Sequence, residues 1–267
     1  MEKIGLIAGN RKFPLCFAEA ARKEGYLITA VAIKGDTSRE LESFVDEIHW
    51  LGLENFSRMF DIFKAAGVTK VAMAGQISPR RLFSRQIQQD VRLRELLLGL
   101  TDKRADTIFK AIAEMLEKSG FQLLDSTIFL KDYLPQKGTL TLQQPDFKVW
   151  EDVYFALTLA KEIASLDIGQ TVAVKDKAIV AVEALEGTDN LIRRAGYITK
   201  DKAVIVKVSK PNQDLRFDIP VVGFNTVKNL VKIRASCLAI EAGKTLFIDR
   251  QASVRLADRN GLSIVAV

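Results

Sequence analysis

The sequence predicts an α/β protein of two domains: an N-terminal Rossmann-like parallel-sheet domain over residues 1–132 and a C-terminal α/β domain with a mixed sheet over residues 133–267. Three observations carry that expectation. Short apolar runs alternate with amphipathic stretches through the first half, the pattern of a parallel sheet with helices on both faces. The segment KDYLPQKGTLTLQQPD (131–146) contains two prolines and a glycine and reads as an interdomain connection. Beyond it, QTVAVKDKAIVAVEA sets Asp176-Lys177 between two alternating apolar runs, as in a β-hairpin. With 267 residues, 48% of them hydrophobic, the chain has enough apolar material for one large core or two modest ones.

Taken in order, KIGLIAG (3–9) is a buried strand and FPLCFAEAARKEG (13–25) an amphipathic helix ended by Gly25. YLITAVAI (26–33) is the next strand. The unit then repeats with EIHWL (47–51) as strand, NFSRMFDIFKAAG (55–67) as helix and KVAMAG (70–75) as strand. Helical stretches around 82–99 and 104–119 follow, the second closed by Gly120 ahead of FQLLDSTIFL. After the connection come a helix near 150–165, the hairpin, and the strand AVIVKVS (203–209). KPNQDLRFDIP (210–220) reads as extended, with Asp214, Arg216 and Asp218 on one face and Leu215, Phe217 and Ile219 on the other. A long helix over VKNLVKIRASCLAIEAG (227–243) and the strands TLFIDR and LSIVAV complete the chain.

Composition narrows the chemistry. Cys16 and Cys237 are the two cysteines, one near each end, which gives neither a disulfide framework nor a CxxC site and favours a reducing cytoplasm. His49, the single histidine, lies in an apolar strand beside Trp50, so a histidine triad or a histidine zinc site is hard to build. The net charge of +6 favours an anionic partner, but without a run of like charges there is no nucleic-acid tract. The apolar run at the N-terminus is too short for a signal peptide, and no window approaches the ~18 apolar residues of a membrane span.

Three places can hold chemistry. The polar face of residues 210–220 is either a solvated stripe or an acid–base or metal face. PVVGFNT follows it, with Asn225 or Thr226 as the expected N-cap of the next helix, and a strand end beside a helix N-terminus is a recurrent phosphate-binding arrangement. In VEALEGTDN, Glu183, Glu186 and Asp189 are spaced by three, hard oxygen groups of the kind that bind Mg2+ or Mn2+; the plainer reading has Thr188 or Asp189 cap a helix. LIAGNRKFP lacks the G-x-G-x-x-G fingerprint, which disfavours a dinucleotide, although its Gly-Asn turn can still approach a phosphate. AGQISPRR (74–81) ends another strand with a glycine and two arginines.

These stretches together resemble a known family. IAGNRKFP, KGTLT, VEALEGTDNLIRRAG, VKVSKPNQDLRFDIPVVGFNTV and AIEAGKTLFIDR are similar, over the length of the chain, to the LpxI family, the UDP-2,3-diacylglucosamine pyrophosphatases of lipid A biosynthesis. The resemblance implies a magnesium-dependent (Mn2+ also suits) cytoplasmic hydrolase that forms UMP and 2,3-diacylglucosamine 1-phosphate, with the lipid held between two domains. It places catalytic carboxylates at Asp218 and then Asp214, and metal ligands at Glu183, Glu186, Asp189 and Asp218. The implied substrate-binding set is Gly9, Asn10, Gly75, Lys137, Thr139, Lys210, Gln213, Arg216 and Thr226. The expected partners are a lipid-linked nucleotide sugar, a transient peripheral contact with the inner-membrane surface and a second copy of the chain, with no nucleic acid. Two other readings stand beside it: a nicotinamide-dependent oxidoreductase on the N-terminal half, and a non-catalytic binder of a nucleotide sugar or phospholipid.

Overall fold

The protein is described by a computed structural model covering residues 1–77, 81, 84–102 and 104–267, with the backbone alone for Arg85 and Ala105. Ser78–Arg80 of the basic loop, Leu82 and Phe83 at the head of the expected 82–99 helix, and Lys103 lie outside the described residues. The chain forms two compact units. Met1–Lys131 with Asp214–Asp218 make the first, and Asp132–Gln213 with Ile219–Val267 make the second.

The first unit is built on a parallel sheet ordered β3-β2-β1-β4-β5, from β1 (Lys3–Ala8), β2 (Leu27–Ile33), β3 (Glu47–Leu51), β4 (Lys70–Ala74) and β5 (Gln122–Leu123). Its central strands are buried almost throughout, which is why they read as continuous apolar runs instead of alternating ones. Ile7, Val31, Ile33, Val71 and Met73 share one face. They pack there with Met59, Phe60 and Phe63 of α2 (Met59–Ala65), Leu93 of α3 (Val91–Leu98) and Ile108, Ile112 and Leu116 of α4 (Ala105–Lys118). The helix α1 (Phe13–Lys23) begins with proline in its first turn, where the missing N–H costs nothing. On the edge strand β3, His49 pairs with Glu47 at 2.8 Å.

The second unit carries a six-stranded mixed sheet ordered β6-β13-β11-β9-β7-β8, from β6 (Gly138–Thr139), β7 (Thr171–Lys175), β8 (Ala178–Val182), β9 (Val204–Lys207), β11 (Cys237–Ile240) and β13 (Ser263–Ala266). Strands β9, β11 and β13 run parallel, while β6, β7 and β8 pair antiparallel to their neighbours. A two-strand parallel pair joins β10 (Val221–Val222) to β12 (Leu246–Phe247). One face of the large sheet is covered by α5 (Phe147–Ser165) through a stripe of Val153, Ala156, Ala160 and Ala164, whose small side chains bring the helix close. The other face packs against α6 (Thr188–Thr199), α7 (Phe224–Lys232) and α8 (Arg250–Arg259). The mixed α/β class expected from the sequence is therefore what the chain forms.

The hairpin turn has a clear local cause. Asp176 and Lys177 both sit at positive φ, 51° and 57°, as a two-residue hairpin of this twist requires. Their N–H groups donate to the two carboxylate oxygens of the buried Asp152 on α5, at 3.0 and 2.6 Å, which offsets the strain of two non-glycine residues there.

The chain departs from the sequence reading at several elements. The long helix over 227–243 is α7 followed by the central strand β11. Arg234 turns the chain at φ 53°, and Ala235 N donates to Leu230 O, so the apolar CLAI run leaves the helix and enters the sheet. Helix α8 over RQASVRLADR was not foreseen, because its face toward the core is small: Ser253 and Ala257. Residues 210–220 do not form a strand. Phe217 N and Asp218 N both donate to Asp214 O, and Arg216 N donates to Asp214 Oδ1, so the stretch closes into a turn.

Candidate active site

The turn Asp214–Asp218 packs within the first unit. The Asp214 carboxylate accepts from Arg216 Nε at 2.9 Å and Arg216 Nη2 at 2.7 Å, and this guanidinium holds its carboxyl below the usual range despite partial burial. The reciprocal bond pushes the Arg216 guanidinium up. Arg216 Nη1 also donates to Glu117 Oε1 on α4 at 2.5 Å. Asp214 is thus fixed as an anion and spent on orienting the guanidinium, which suits it poorly for accepting a proton. Of the residues read on the apolar face, Leu215 is 37% exposed, while Phe217 packs against the core and stacks on Phe109 with ring centroids 6.3 Å apart. Asp218 is half-buried at the end of the turn.

At the carboxyl ends of β1 and β4, Gly9 N donates to Ala74 O and Asn10 N to Gln76 O, both at 2.8 Å. A Cβ on Gly9 would lie 2.6 Å from the Gly75 carbonyl carbon, and one on Gly75 (φ 85°) would lie 2.7 Å from Asn10 O. The two loops interlock at the point where strand order reverses, the place a dinucleotide would need open. Both glycines therefore have a packing reason to be glycine. Asn10 Oδ1 is buried without a hydrogen-bond partner among the described residues and offers a polar contact beside this interlock. A narrow apolar pocket in the same unit is lined by residues that include Gly9, Gly75, Phe109, Ile112 and Phe217.

In the second unit, the EGTD turn starts α6 with Gly187 as N-cap (φ 82°), so neither Thr188 nor Asp189 caps the helix by its side chain. Thr188 Oγ1 instead bridges two buried charges: it accepts from Lys207 Nζ at 2.7 Å and donates to Glu183 Oε1 at 2.8 Å. Glu183 Oε2 and the buried Thr171 Oγ1 have no partner among the described residues. Register explains the grouping. Thr171 stands opposite Lys207, Glu183 N bonds Thr171 O, and all three share the sheet face covered by α6. Glu186 is spent on Arg194 Nη2 at 2.5 Å and on Ala184 N, while Asp189 accepts from Asn229 Nδ2 on α7 at 3.1 Å. Similarly, α7 is capped by Gly223, which puts Asn225 and the buried Thr226 inside its first turn.

The remaining sequence candidates scatter. Lys210 pairs with Asp167 at 2.6 Å and its N–H donates to Gln213 Oε1 at 2.7 Å. Lys137 is exposed, and Thr139 lies half-buried on the edge strand β6. Lys161, Ser209 and Glu241 were missed. Glu241 accepts from Lys161 Nζ at 2.6 Å, Ser209 N at 2.9 Å, Ser209 Oγ at 2.7 Å and Lys244 Nζ at 2.8 Å. Burial alone would raise its pKa, but these donors outweigh burial and hold it down to about 2. Lys207 was legible as the one charge inside the apolar run AVIVKVS. Burial pushes the Cys237 thiol up to about 12, against a hydrogen bond with Ser263, so it is an inert core group.

Among the described residues no group of three or more His, Cys, Asp or Glu could hold a metal ion, and Glu183, Glu186 and Asp189 each turn to a different partner. Among the described residues, too, no helix is long and apolar enough to cross a membrane.

A parallel-sheet unit and a mixed-sheet unit, with buried carboxylates, lysines and an arginine in place of histidine or cysteine, define an α/β protein of two parts with polar groups at strand ends and helix starts. The chain belongs to the LpxI family: the family's N-terminal domain matches residues 3–133 and its C-terminal domain residues 136–265. It is 29% identical, over 100% of its own length and 98% of the relative's, to the UDP-2,3-diacylglucosamine pyrophosphatase LpxI of Caulobacter vibrioides. The resemblance seen in the motifs is thereby borne out. Among solved structures, N5-carboxyaminoimidazole ribonucleotide synthetase from Thermotoga maritima aligns with 71% of this chain and 43% of its own, at 16% identity and a TM-score of 0.26. Phosphoribosylglycinamide synthetase from Anaerococcus prevotii aligns with 76% of this chain and 44% of its own, at 12% identity and a TM-score of 0.24. The chain spans less than half of either, and superpositions this loose carry no argument.

Proposed function

We propose that the protein hydrolyses the pyrophosphate bond of UDP-2,3-diacylglucosamine, releasing UMP and 2,3-diacylglucosamine 1-phosphate in lipid A biosynthesis. The observation that carries this reading is the end-to-end match to both domains of the LpxI family, together with a full-length relative of that activity. In the reaction, a water oxygen bonds to one phosphorus as the bond between that same phosphorus and the bridging oxygen breaks, so that the bridging oxygen leaves with the other phosphoryl group. The electron pair leaves on the bridging oxygen, and the water's proton passes to a carboxylate. Asp218 is our candidate for that carboxylate, since Asp214 is already pinned by Arg216. Arg216, on the same turn as Asp218, is the cation proposed to face phosphoryl oxygens, where charge accumulates as the bond breaks.

The described carboxylates do not fit a resident metal cage. A divalent cation such as Mg2+, if it arrived with the substrate, would supply neutralisation of the phosphoryl charge. The +6 surplus supports a transient contact with an anionic bilayer. Purified protein incubated with UDP-2,3-diacylglucosamine should release UMP with Mg2+ and lose that activity in EDTA. No UMP under either condition refutes the hydrolase, and equal release in EDTA refutes the metal. The interlocked Gly9 and Gly75 loops argue against the oxidoreductase reading.

A further inference from the structure

Five residues whose sequence neighbours belong to the second unit, Asp214–Asp218, pack in the first. Their hold is specific along the turn. Leu215 O accepts two hydrogen bonds from the fully buried Ser126, from its N at 2.9 Å and its Oγ at 2.7 Å. Arg216 is tied to Glu117, and Phe217 lies on Phe109. Asp218 N closes the turn onto Asp214 O at 2.9 Å. Each of residues 214–217 is therefore anchored by a side chain or backbone group of the first unit or by the turn itself, and Asp218 follows directly on the last anchor.

We propose that Ser126 and Glu117, which belong to the N-terminal half of the sequence, are positioning residues for Asp218. Neither needs to meet substrate. Ser126 fixes the height of the turn through Leu215 O, and Glu117 fixes its rotation through the Arg216 guanidinium. A charged donor shared between two carboxylates, Asp214 and Glu117, leaves the turn one orientation rather than several. A turn that was merely structural would need no such pair, since Asp214 and Arg216 already close it internally. The inference rests on the proposed hydrolysis for its catalytic consequence, though not for the docking itself.

The test is a pair of variants, Ser126→Ala combined with Glu117→Ala, and the conservative Glu117→Asp, in the full-length protein. Two readouts are taken: steady-state UMP release, and amide hydrogen exchange over residues 211–220 without substrate. The double variant should lower kcat about tenfold or more with KM within roughly twofold, and speed exchange in that peptide about tenfold while other peptides keep the wild-type rate. Glu117→Asp should recover most of kcat. Unchanged exchange at 214–218 overturns the docking. Faster exchange with unchanged kcat overturns the positioning role, and so does faster exchange spread over the whole chain. A wild type that releases no UMP would remove the proposed hydrolysis, while the exchange comparison would still decide whether Ser126 and Glu117 hold the turn.

Discussion

Replacing Gly75 by alanine separates packing from ligand approach at the end of β4. The residue sits at φ 85°, and a Cβ there would stand 2.7 Å from Asn10 O and 3.0 Å from both Gly9 C and Pro14 Cγ. Left-handed backbone costs an L side chain about 1–2 kcal/mol, and forcing a methyl into a filled contact costs a further ~1–3 kcal/mol. The expected loss is about 2–5 kcal/mol, or a fall in Tm of roughly 5–15 °C for a chain of this size. Gly67→Ala supplies the control: its φ is 69°, but nothing lies within 4 Å of the new Cβ, so only the backbone cost applies. Scanning calorimetry of the two variants beside the wild type isolates the close approach as the difference between them. Equal Tm values for Gly75→Ala and Gly67→Ala would refute the interlock. Gly75→Ala with unchanged stability but weakened substrate binding would show that the glycine serves a ligand instead.

The other predictions are shorter. Asp218→Ala should abolish UMP release while leaving the melting curve near that of the wild type; near-full turnover would remove Asp218 from the mechanism. Asp152→Ala strips the Asp176 and Lys177 N–H groups of a charged acceptor and should cost about 1.5–3 kcal/mol in urea unfolding. Glu241, held down to about 2 in the folded chain, contributes stability that is fully present above the ordinary glutamate pKa near 4.5 and is lost as pH falls from there toward 2. Glu241→Gln should therefore flatten the loss of stability across that acid window, measured by urea midpoints, and lower stability at neutral pH. Lys207→Met and Glu183→Gln, joined through Thr188, should couple in a double-mutant cycle by about 0.5–3 kcal/mol, whereas additive losses would mean the bridge is idle.

The strand–helix alternation of the first unit was legible because buried parallel strands announce themselves as apolar runs, and the hairpin because Asp-Lys stood between two of them. What escaped has a physical cause in each case. CLAI was absorbed into the preceding helix because a short apolar run fits either period, and the turn at Arg234 uses a residue with no turn signature. The alternation of 214–219 looked like a strand, yet among the described residues no strand pairs with it, and a local carboxylate–guanidinium bond outcompetes an unpaired extended backbone. Lys207, Thr188 and Glu183 come from three places in the sequence, and only the pairing of β7, β8 and β9 brings them together.

The carboxylates sort by what each has left to give. Asp214 is spent on Arg216, Glu186 on Arg194, and Glu241 on two lysines and Ser209, so each already has a cation or N–H groups that a metal would have to displace. Glu183 differs. One oxygen is bound by Thr188, while the other is buried without a partner among the described residues, beside a buried ammonium it reaches through that hydroxyl. A buried carboxylate oxygen left unbonded costs about 1–3 kcal/mol or more, so the folded chain retains a polar demand there that its own described side chains do not meet. The spacing of three that first suggested a shared metal site therefore divides into two structural anions and one open acceptor. Replacing Glu183 by glutamine should therefore change cation or substrate binding while leaving the pair between Glu186 and Arg194 intact.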